Sequence, residues 1–590
     1  MGSKRASRVK HGFFHGAVIL MSAMVIGKLL GLVFKVQLMR IIGEVGNGYY
    51  TMAYTLFTPI YTFTVIGLPA TVARMIASYT AQGRFHDIRK LKVISTKLFR
   101  FLGLLSFLVI AGFAWVFTNV FMNTPPAFLS VLLIAPVALL GIMSAVYRGY
   151  FEGMRNMTPT AMSEIIEIVI KLIFSLGLAY LVYQMGVREF NLSGTLFGQA
   201  IESSERLEIQ LAQYTTAAAI VGVAISTMGG LLFLWLTYRI KGDGITREEL
   251  VNSPPAARTP FIFNKLIKYA IPISLGSLIL NASSVIDLVT VYNRIEHALN
   301  VGYDRIMNSY GSYIPADIRV DELPNFFFGV YGMVLLLGSL IPDFVRMIGK
   351  SALINIAAVW AEGDKYNLKR KIEAVTRLTA FLAMPAGVGL FVLANPILSL
   401  LFPGMAGGVA IAAPVLEIFS VSVIFMSLVI PLFNVFQAIG RADLPLKFMA
   451  LGASLKLICN FILVGIPQIN LKGAPIGTIL CYFIILILCF TAIRNIVKIK
   501  LDYIGTLIKP AVAAISCGFA AKLVLGAMEN AALNRLIPIL ISVLTAVIIY
   551  AVSLIILRAI SSDDIISLPK GEIISKTLAK YKIIRYNGKN

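Results

Sequence analysis

Charge is scarce in this chain, and negative charge is scarcer still. Charged residues make up 14% of the 590, and only 29 are Asp or Glu against 52 Lys and Arg. A soluble protein of this length carries more charge. With 58% hydrophobic residues and a mean hydropathy of +0.83, the chain reads as an all-α polytopic membrane protein. Catalytic signatures are missing too. Of the four histidines, His11 and His15 are four apart but lack the Glu of a His-Glu-x-x-His zinc site. There is no phosphate-binding P-loop and no Gly-x-Ser-x-Gly. Cys459, Cys481, Cys489 and Cys517 lie in apolar segments without ligand spacing, as core cysteines do. No metal site or cofactor is expected. The alternating segments of a membrane β-barrel are absent as well.

The net charge of +23 does not point to nucleic acid. Basic residues cluster in short loops between apolar stretches, about 35 on one side, about 8 on the other and about 9 inside the stretches, as the positive-inside rule requires. Their expected partner is an anionic membrane surface. Lys4, Arg5, Arg8 and Lys10 precede an apolar stretch too long for a cleaved signal, which predicts a retained first span with a cytoplasmic N-terminus.

About fourteen spans are expected, at 13–39, 49–80, 98–121, 127–150, 160–186, 214–238, 266–293, 324–358, 376–402, 411–438, 446–466, 475–495, 503–525 and 536–558. The even number returns the basic tail to the cytoplasm. Two external loops, about 187–213 and 294–323, are longer and mixed in charge and read as solvated caps. The first external loop, about Ile41–Gly48, holds Glu44 alone. A polyprenyl-sugar glycosyltransferase would want an acidic pair there.

An internal repeat sets the organisation. Ala81-Gln-Gly83 and Ala361-Glu-Gly363 are each followed at the same offset by a basic pair, Arg89-Lys90 and Lys369-Arg370. Phe151-Glu-Gly-Met-Arg155 matches Phe436-Gln-Ala-Ile-Gly-Arg441 with one gap. The offset is six spans, so both copies run in the same direction. Parallel repeats predict two pseudo-symmetric six-helix lobes with a cargo site at their interface. The expected divisions are an N-terminal lobe (1–240), a cytoplasmic linker (241–265), a C-terminal lobe (266–498), an extra helix pair (499–560) and a basic tail (561–590).

Lysine inside a bilayer is costly, roughly 2.5–3.5 kcal/mol at a helix centre. The first span carries two, Lys28 and Lys35, seven apart and therefore on one face. They predict a positive cavity suited to an anion, with Gly27 and Gly31 permitting close approach. Arg74 follows Gly67-Leu-Pro69 late in the second span. Glu164, Glu167 and Lys171 share a face of the fifth span. Ser277, Asn281, Ser284 and Asp287 form a polar stripe in the seventh, where Asp287 is the best acidic candidate for a coupling cation, sodium or a proton. Ser339, Asp343, Arg346 and Lys350 form a second-lobe face, with Asp343 free to pair with Arg346. Lys456 and Asn460 stand four apart in the eleventh span.

At Gly27-Lys28-Leu-Leu-Gly31-Leu-Val-Phe-Lys35…Arg40-Ile-Ile-Gly43-Glu-Val-Gly46-Asn-Gly48-Tyr-Tyr the chain resembles a known family. It is similar to the stage V sporulation protein B-like polysaccharide exporters of the multidrug/oligosaccharidyl-lipid/polysaccharide exporter superfamily, relatives of the lipid II flippases. The resemblance implies a monomeric fourteen-span flippase in a bacterial cytoplasmic membrane. It would carry undecaprenyl-pyrophosphate-linked sugars across by alternating access, for cell-wall or polysaccharide synthesis. Lys28 and Lys35 would meet the pyrophosphate, and residues 503–558 would form a groove for the polyprenyl tail. Lipid II flippases place a basic residue early in the eighth span, where this chain reads Phe326-Phe327-Phe328. The alternatives are a multidrug or cation exporter of the same superfamily, which would have twelve spans and an acidic site, a membrane glycosyltransferase, and a non-transporting scaffold.

Overall fold

The computed structural model describes residues 2–65, 67–529 and 536–559, and within these leaves aside the side chains of 2–24, 272–273, 275–285, 288, 347–355 and 358. The chain forms two compact units, Met1–Glu296 with Pro315–Gly332, and His297–Ile314 with Met333–Asn590.

The first unit starts with the helix α1 (Gly2–Val65), which bends at Gly43 (φ 69°, ψ −177°). Only glycine adopts that backbone readily. The loop expected at 41–48 is therefore helix apart from this one residue. The helices α2 (Gly67–Ala81), α3 (Phe85–Val116), α4 (Phe128–Leu133), α5 (Ala135–Gly153), α6 (Thr158–Ser193) and α7 (Ser204–Lys241) follow. A small helix α8 (Arg247–Val251) and the long α9 (Thr259–Tyr310), which from His297 onward belongs to the second unit, complete the series. The expected loop 294–323 is thus largely helical as far as Tyr310. Within this unit α6 packs along α7, α1 contacts α5, α6 and α7, and α5 packs on α2 and α3.

Close helix contact in lipid favours small residues. A Cβ on Gly222 of α7 would strike the Ser175 backbone of α6, and one on Gly149 would strike Pro69. At 36 and 38 residues, α6 and α7 exceed the roughly 20 a bilayer needs. Their projecting ends carry a two-stranded turn, Thr195–Leu196 with Gln199–Ala200, over a small core of Leu196, Leu207 and Leu211.

The second unit contains the later part of α10 (Leu323–Ala361), then α11 (Lys365–Val392), α12 (Ala394–Leu401), α13 (Ala406–Ala438), α14 (Asp443–Leu463), α15 (Gly473–Ala492), α16 (Lys509–Glu529) and α17 (Leu536–Ile556). Here α13 packs on α11 and α15, and α16 on α11 and α17. Among the described residues, 11 helical segments are long and apolar enough to cross a membrane. The expected first, second and seventh spans fall on α1, α2 and α9.

The repeat is visible in how helices end. Gly83 (φ 69°) follows α2 and Gly363 (φ 75°) follows α10, each two residues before the start of the next helix. In the other pair, Asn156 N donates to Phe151 O at 2.9 Å and Arg441 N to Phe436 O at 2.8 Å. Both bonds span five residues, the closing bond of a left-handed helix cap, with Arg155 and Gly440 at positive φ.

Candidate functional site

The site grows from the bend in α1. Just past the bend, backbone carbonyls of α1 accept bonds from side chains of other helices. Asn325 Nδ2 donates to Val45 O at 2.8 Å, and Thr216 Oγ1 to Gly46 O at 3.2 Å. Asn47, fully buried, works in both directions. Its Nδ2 donates to Gly329 O at 2.6 Å, and its Oδ1 accepts from Lys35 Nζ at 2.7 Å. The ammonium also lies 3.7 Å from the centroid of the Tyr50 ring. Amide oxygen and aromatic face stabilise a cation without cancelling its charge.

A second lysine rests on the same aromatic pair. Tyr50 and Tyr54 stack with centroids 4.5 Å apart. Lys171 Nζ donates to the Tyr54 hydroxyl at 3.3 Å and lies 4.5 Å from the Phe34 centroid. The other charges on this face of α6 are engaged by Arg148 of α5. Its Nη2 bonds Glu167 Oε2 at 2.8 Å, and Nη1 approaches Glu164 Oε1 at 4.0 Å. Thr227 of α7 donates to Glu167 Oε1 at 3.2 Å. Lys35, Lys171 and Arg148 face Glu164 and Glu167, so the cluster keeps one net positive charge.

The remaining expected residues distribute as follows. Lys28 is exposed, on the Lys35 face of α1. Arg74 is also exposed and lies 5.2 Å from the Tyr269 ring centroid, with a partner separate from the lysine cluster. Asp287 is buried beside Tyr331. In the second unit Asp343 and Arg346 pair at 2.8 Å, with Arg346 mostly exposed. Lys456 and Asn460 are both buried on α14. The side chains of Lys350 and Asn281 lie outside the described residues. Asn47, Tyr50, Tyr54 and Arg148 were not anticipated. Arg148 had a signal, a guanidinium near the end of an apolar stretch. Asn47 had none beyond being an amide beside the first span.

A model of the polysaccharide biosynthesis protein family matches residues 13–318, just over half of the chain. The chain belongs to that family. A model described as lipid II flippase MurJ matches residues 343–543. Stage V sporulation protein B of Bacillus subtilis (strain 168) is 24% identical, covering 95% of this chain and 98% of that protein. Lipid II flippase MurJ in an inward closed conformation superposes with a TM-score of 0.63 at 12% identity, over 92% of this chain and 99% of its own. An inward-facing multidrug resistance MATE family transporter of the MOP superfamily gives 0.59 at 13% identity, over 82% and 99%. The fold is therefore that of the MOP superfamily, a multi-span helical membrane protein with bacterial relatives.

Both ends of this family member's first unit are tied by ion pairs. At one end Arg206 of α7 makes two parallel bonds to Glu322, at 2.6 and 2.8 Å. Ser203 bonds Asp317 beside it. These contacts join two segments expected to be separate solvated caps. At the other end Asp87, almost wholly buried, accepts from Ala257 N at 2.7 Å and pairs with Arg84 at 2.5 Å. Arg89 pairs with Asp243 at 2.5 Å, and Lys90 donates to Ala257 O at 2.8 Å. The expected linker is thus stitched to the start of α3. Among the described residues no group of three or more His, Cys, Asp or Glu is arranged to hold a metal.

Proposed function

We propose that this protein is a flippase that moves a pyrophosphate-linked, polyprenyl-anchored sugar across a bacterial cytoplasmic membrane by alternating access. The observation that carries the reading is the way Lys35 is held. Its contacts are an amide oxygen and a tyrosine ring, which keep the ammonium in a membrane helix while leaving its charge for a ligand. Lys171 is held in the same manner, by Tyr54 and Phe34. Two such cations match a pyrophosphate, which needs neutralising donors and no covalent chemistry to cross. Lys28 would extend the positive face toward the entrance. The relatives' printed names, a lipid II flippase among them, support cargo of this class.

The second unit offers a cavity of about 340 Å³ lined by Val388, Phe391, Ile424, Phe519 and Lys522 among others. Its apolar walls suit a polyprenyl chain. Both termini would be cytoplasmic, with the basic loops toward anionic headgroups. The protein would act as a monomer.

The test is reconstitution into vesicles with fluorescent lipid II, or with a teichoic or capsular lipid-linked precursor. Transfer between leaflets is read by access of an external quencher. The wild type should flip at least one of these, and Lys35→Ala at normal expression should lower the rate at least tenfold. Unchanged flipping in both Lys28→Ala and Lys35→Ala would refute the site.

A further inference from the structure

A third lysine of the first unit is held on aromatic rings. Lys92 Nζ of α3 lies 4.1 Å from the centroid of the Tyr238 ring of α7 and 5.5 Å from that of Tyr147 of α5. The two rings meet edge to face at 5.9 Å. Tyr150 stands against Tyr238 at 5.4 Å and donates its hydroxyl to Asp243 O at 2.7 Å, which fixes the cage. Among the described residues the Lys92 ammonium meets rings and no carboxylate. Asp243, within electrostatic reach of Tyr238, is taken by Arg89 at 2.5 Å. A ring face steadies a cation without cancelling its charge.

The surroundings of Lys92 have the make-up of a membrane interface. α5 packs on both α3 and α7, so Tyr147 forms the floor of a groove between them. Arg100, two turns beyond Lys92 on α3, is exposed and lies within electrostatic reach of the same Tyr147. On the α7 side Arg239 is exposed and stands 5.2 Å from the centroid of the Trp235 ring. Tryptophan and tyrosine beside basic residues mark the headgroup level of a bilayer. The helical segment Phe85–Phe121 is 37 residues long, about 17 more than a bilayer needs, so its opening turns extend out of the hydrocarbon and Lys92 and Arg100 fall near its edge. Beyond the cations both walls turn apolar, with Leu104 exposed on α3 and Leu232 and Met228 exposed on the Trp235 face of α7.

We propose that Lys92 and Arg100, on the tyrosine floor between α3, α5 and α7, bind the headgroup of an anionic phospholipid from the cytoplasmic leaflet. The phosphate accepts from the ammonium and the guanidinium, both of which are charged donors suited to it. It enters without displacing a carboxylate, because neither cation has one. Its acyl chains lie over Leu104 and Leu232, where the groove faces the hydrocarbon. Basic pockets between membrane helices on this side of a bilayer recognise lipid headgroups in this way. A bare phosphate shares the charge but has nothing to set against the apolar walls. The site is the same whatever cargo the protein carries.

The test is native mass spectrometry of the intact protein released from micelles that hold equal amounts of phosphatidylglycerol and phosphatidylcholine. The wild type should retain phosphatidylglycerol at least fivefold over phosphatidylcholine. Lys92→Gln/Arg100→Gln should bring the two lipids to within twofold of each other. Arg247→Gln/Lys268→Gln removes the same charge from exposed positions elsewhere in the unit and should keep the preference. A wild type without preference overturns the proposal, as does a site variant that keeps it. An equal loss in the control pair overturns it too, since the attraction would then belong to the basic surface as a whole. Removal of the preference by excess inorganic phosphate would show a site for bare phosphate and would overturn the lipid. Tyr238→Leu leaves both cations in place and takes away the ring under Lys92, so it should lower the preference at least threefold, whereas Tyr238→Phe keeps the ring and the preference. The same preference in these two variants would refute the role given to the ring-held lysine.

Discussion

Removing Asn47 should damage this protein more than removing the charge that Asn47 holds. Asn47→Ala takes a hydrogen-bond acceptor from the half-buried Lys35 ammonium, which keeps the Tyr50 ring, and removes the side-chain donor to the buried Gly329 carbonyl. A buried unsatisfied polar group costs about 1–3 kcal/mol, and a charged one more. Some water reaches the half-buried lysine, so the loss should be about 2–4 kcal/mol. Lys35→Met loses the bond to Asn47 and the contact with Tyr50, but it also ends the need to bury an ammonium, a penalty of several kcal/mol. The two terms oppose, and the net should stay within about 1–2 kcal/mol. The double variant has no ammonium left to satisfy, so adding Lys35→Met to Asn47→Ala should recover stability. Neighbouring residues that share a bond are where such non-additivity is expected. The assay is inactivation half-life on heating in nanodiscs, a rate that remains meaningful when unfolding is irreversible. Flipping is measured alongside: Lys35→Met should be stable and inactive, and Asn47→Ala unstable and partly active. A double variant less stable than Asn47→Ala, or a Lys35→Met protein that flips normally, would refute the reasoning.

Arg206→Ala should cost about 3–5 kcal/mol, because it breaks a largely buried bidentate pair and leaves Glu322 without its cation; proteolysis within 315–322 should report the loosened segment. Gly329→Ala should fail to accumulate in the membrane, since its Cβ would fall on the Glu44 carbonyl, whereas Gly31→Ala, with nothing within 4 Å of its Cβ, should be tolerated. Asp364 caps α11 by accepting from Asn367 N at 3.0 Å, and that hydrogen bond holds its carboxyl below the usual value of 3.8. A lowered value in the folded state means stability present above about pH 4 and lost as pH falls through the folded value. Protection of the Asn367 amide relative to its intrinsic exchange rate should therefore fall on acidification in the wild type and be low at every pH in Asp364→Ala.

The sequence made the helices, the repeat and the lysines legible for one physical reason: each departs from what lipid tolerates. A run of apolar residues, a glycine breaking it at a fixed offset, or a cation inside it is a local signal. Gly83 and Gly363 could be paired on sequence and prove to share a left-handed backbone. Lys28 and Lys35 stood out because of their cost. The partners did not. Asn47 and Gly329 are 282 residues apart, and no periodicity links them. Arg148 lies two residues from the expected end of the fourth span, where an arginine reads as an interfacial anchor. The expected loop at 41–48 failed because one glycine at positive φ turns a helix without needing a loop.

The two ways of holding cations in the first unit have different consequences for a carrier. Arg206 and Arg148 face carboxylates directly, and an ion pair of that kind mainly fixes structure. Lys35 and Lys171 face an amide and aromatic rings, and under the proposed function their charge would act on the ligand. A site with all four cations uncancelled would hold a pyrophosphate tightly and release it slowly, while one with all four paired would give it no reason to enter. Transport needs binding strong enough to enter and weak enough to leave. Under the proposed function Glu167 and Glu164, one and two turns from Lys171 on α6, would set that balance within one helix face. Replacing both with Gln should therefore tighten binding of undecaprenyl pyrophosphate at neutral pH while slowing its release, so that flipping falls as affinity rises. Loss of affinity in that variant would mean the carboxylates contact the cargo's cationic or hydroxyl groups and do not temper the lysines.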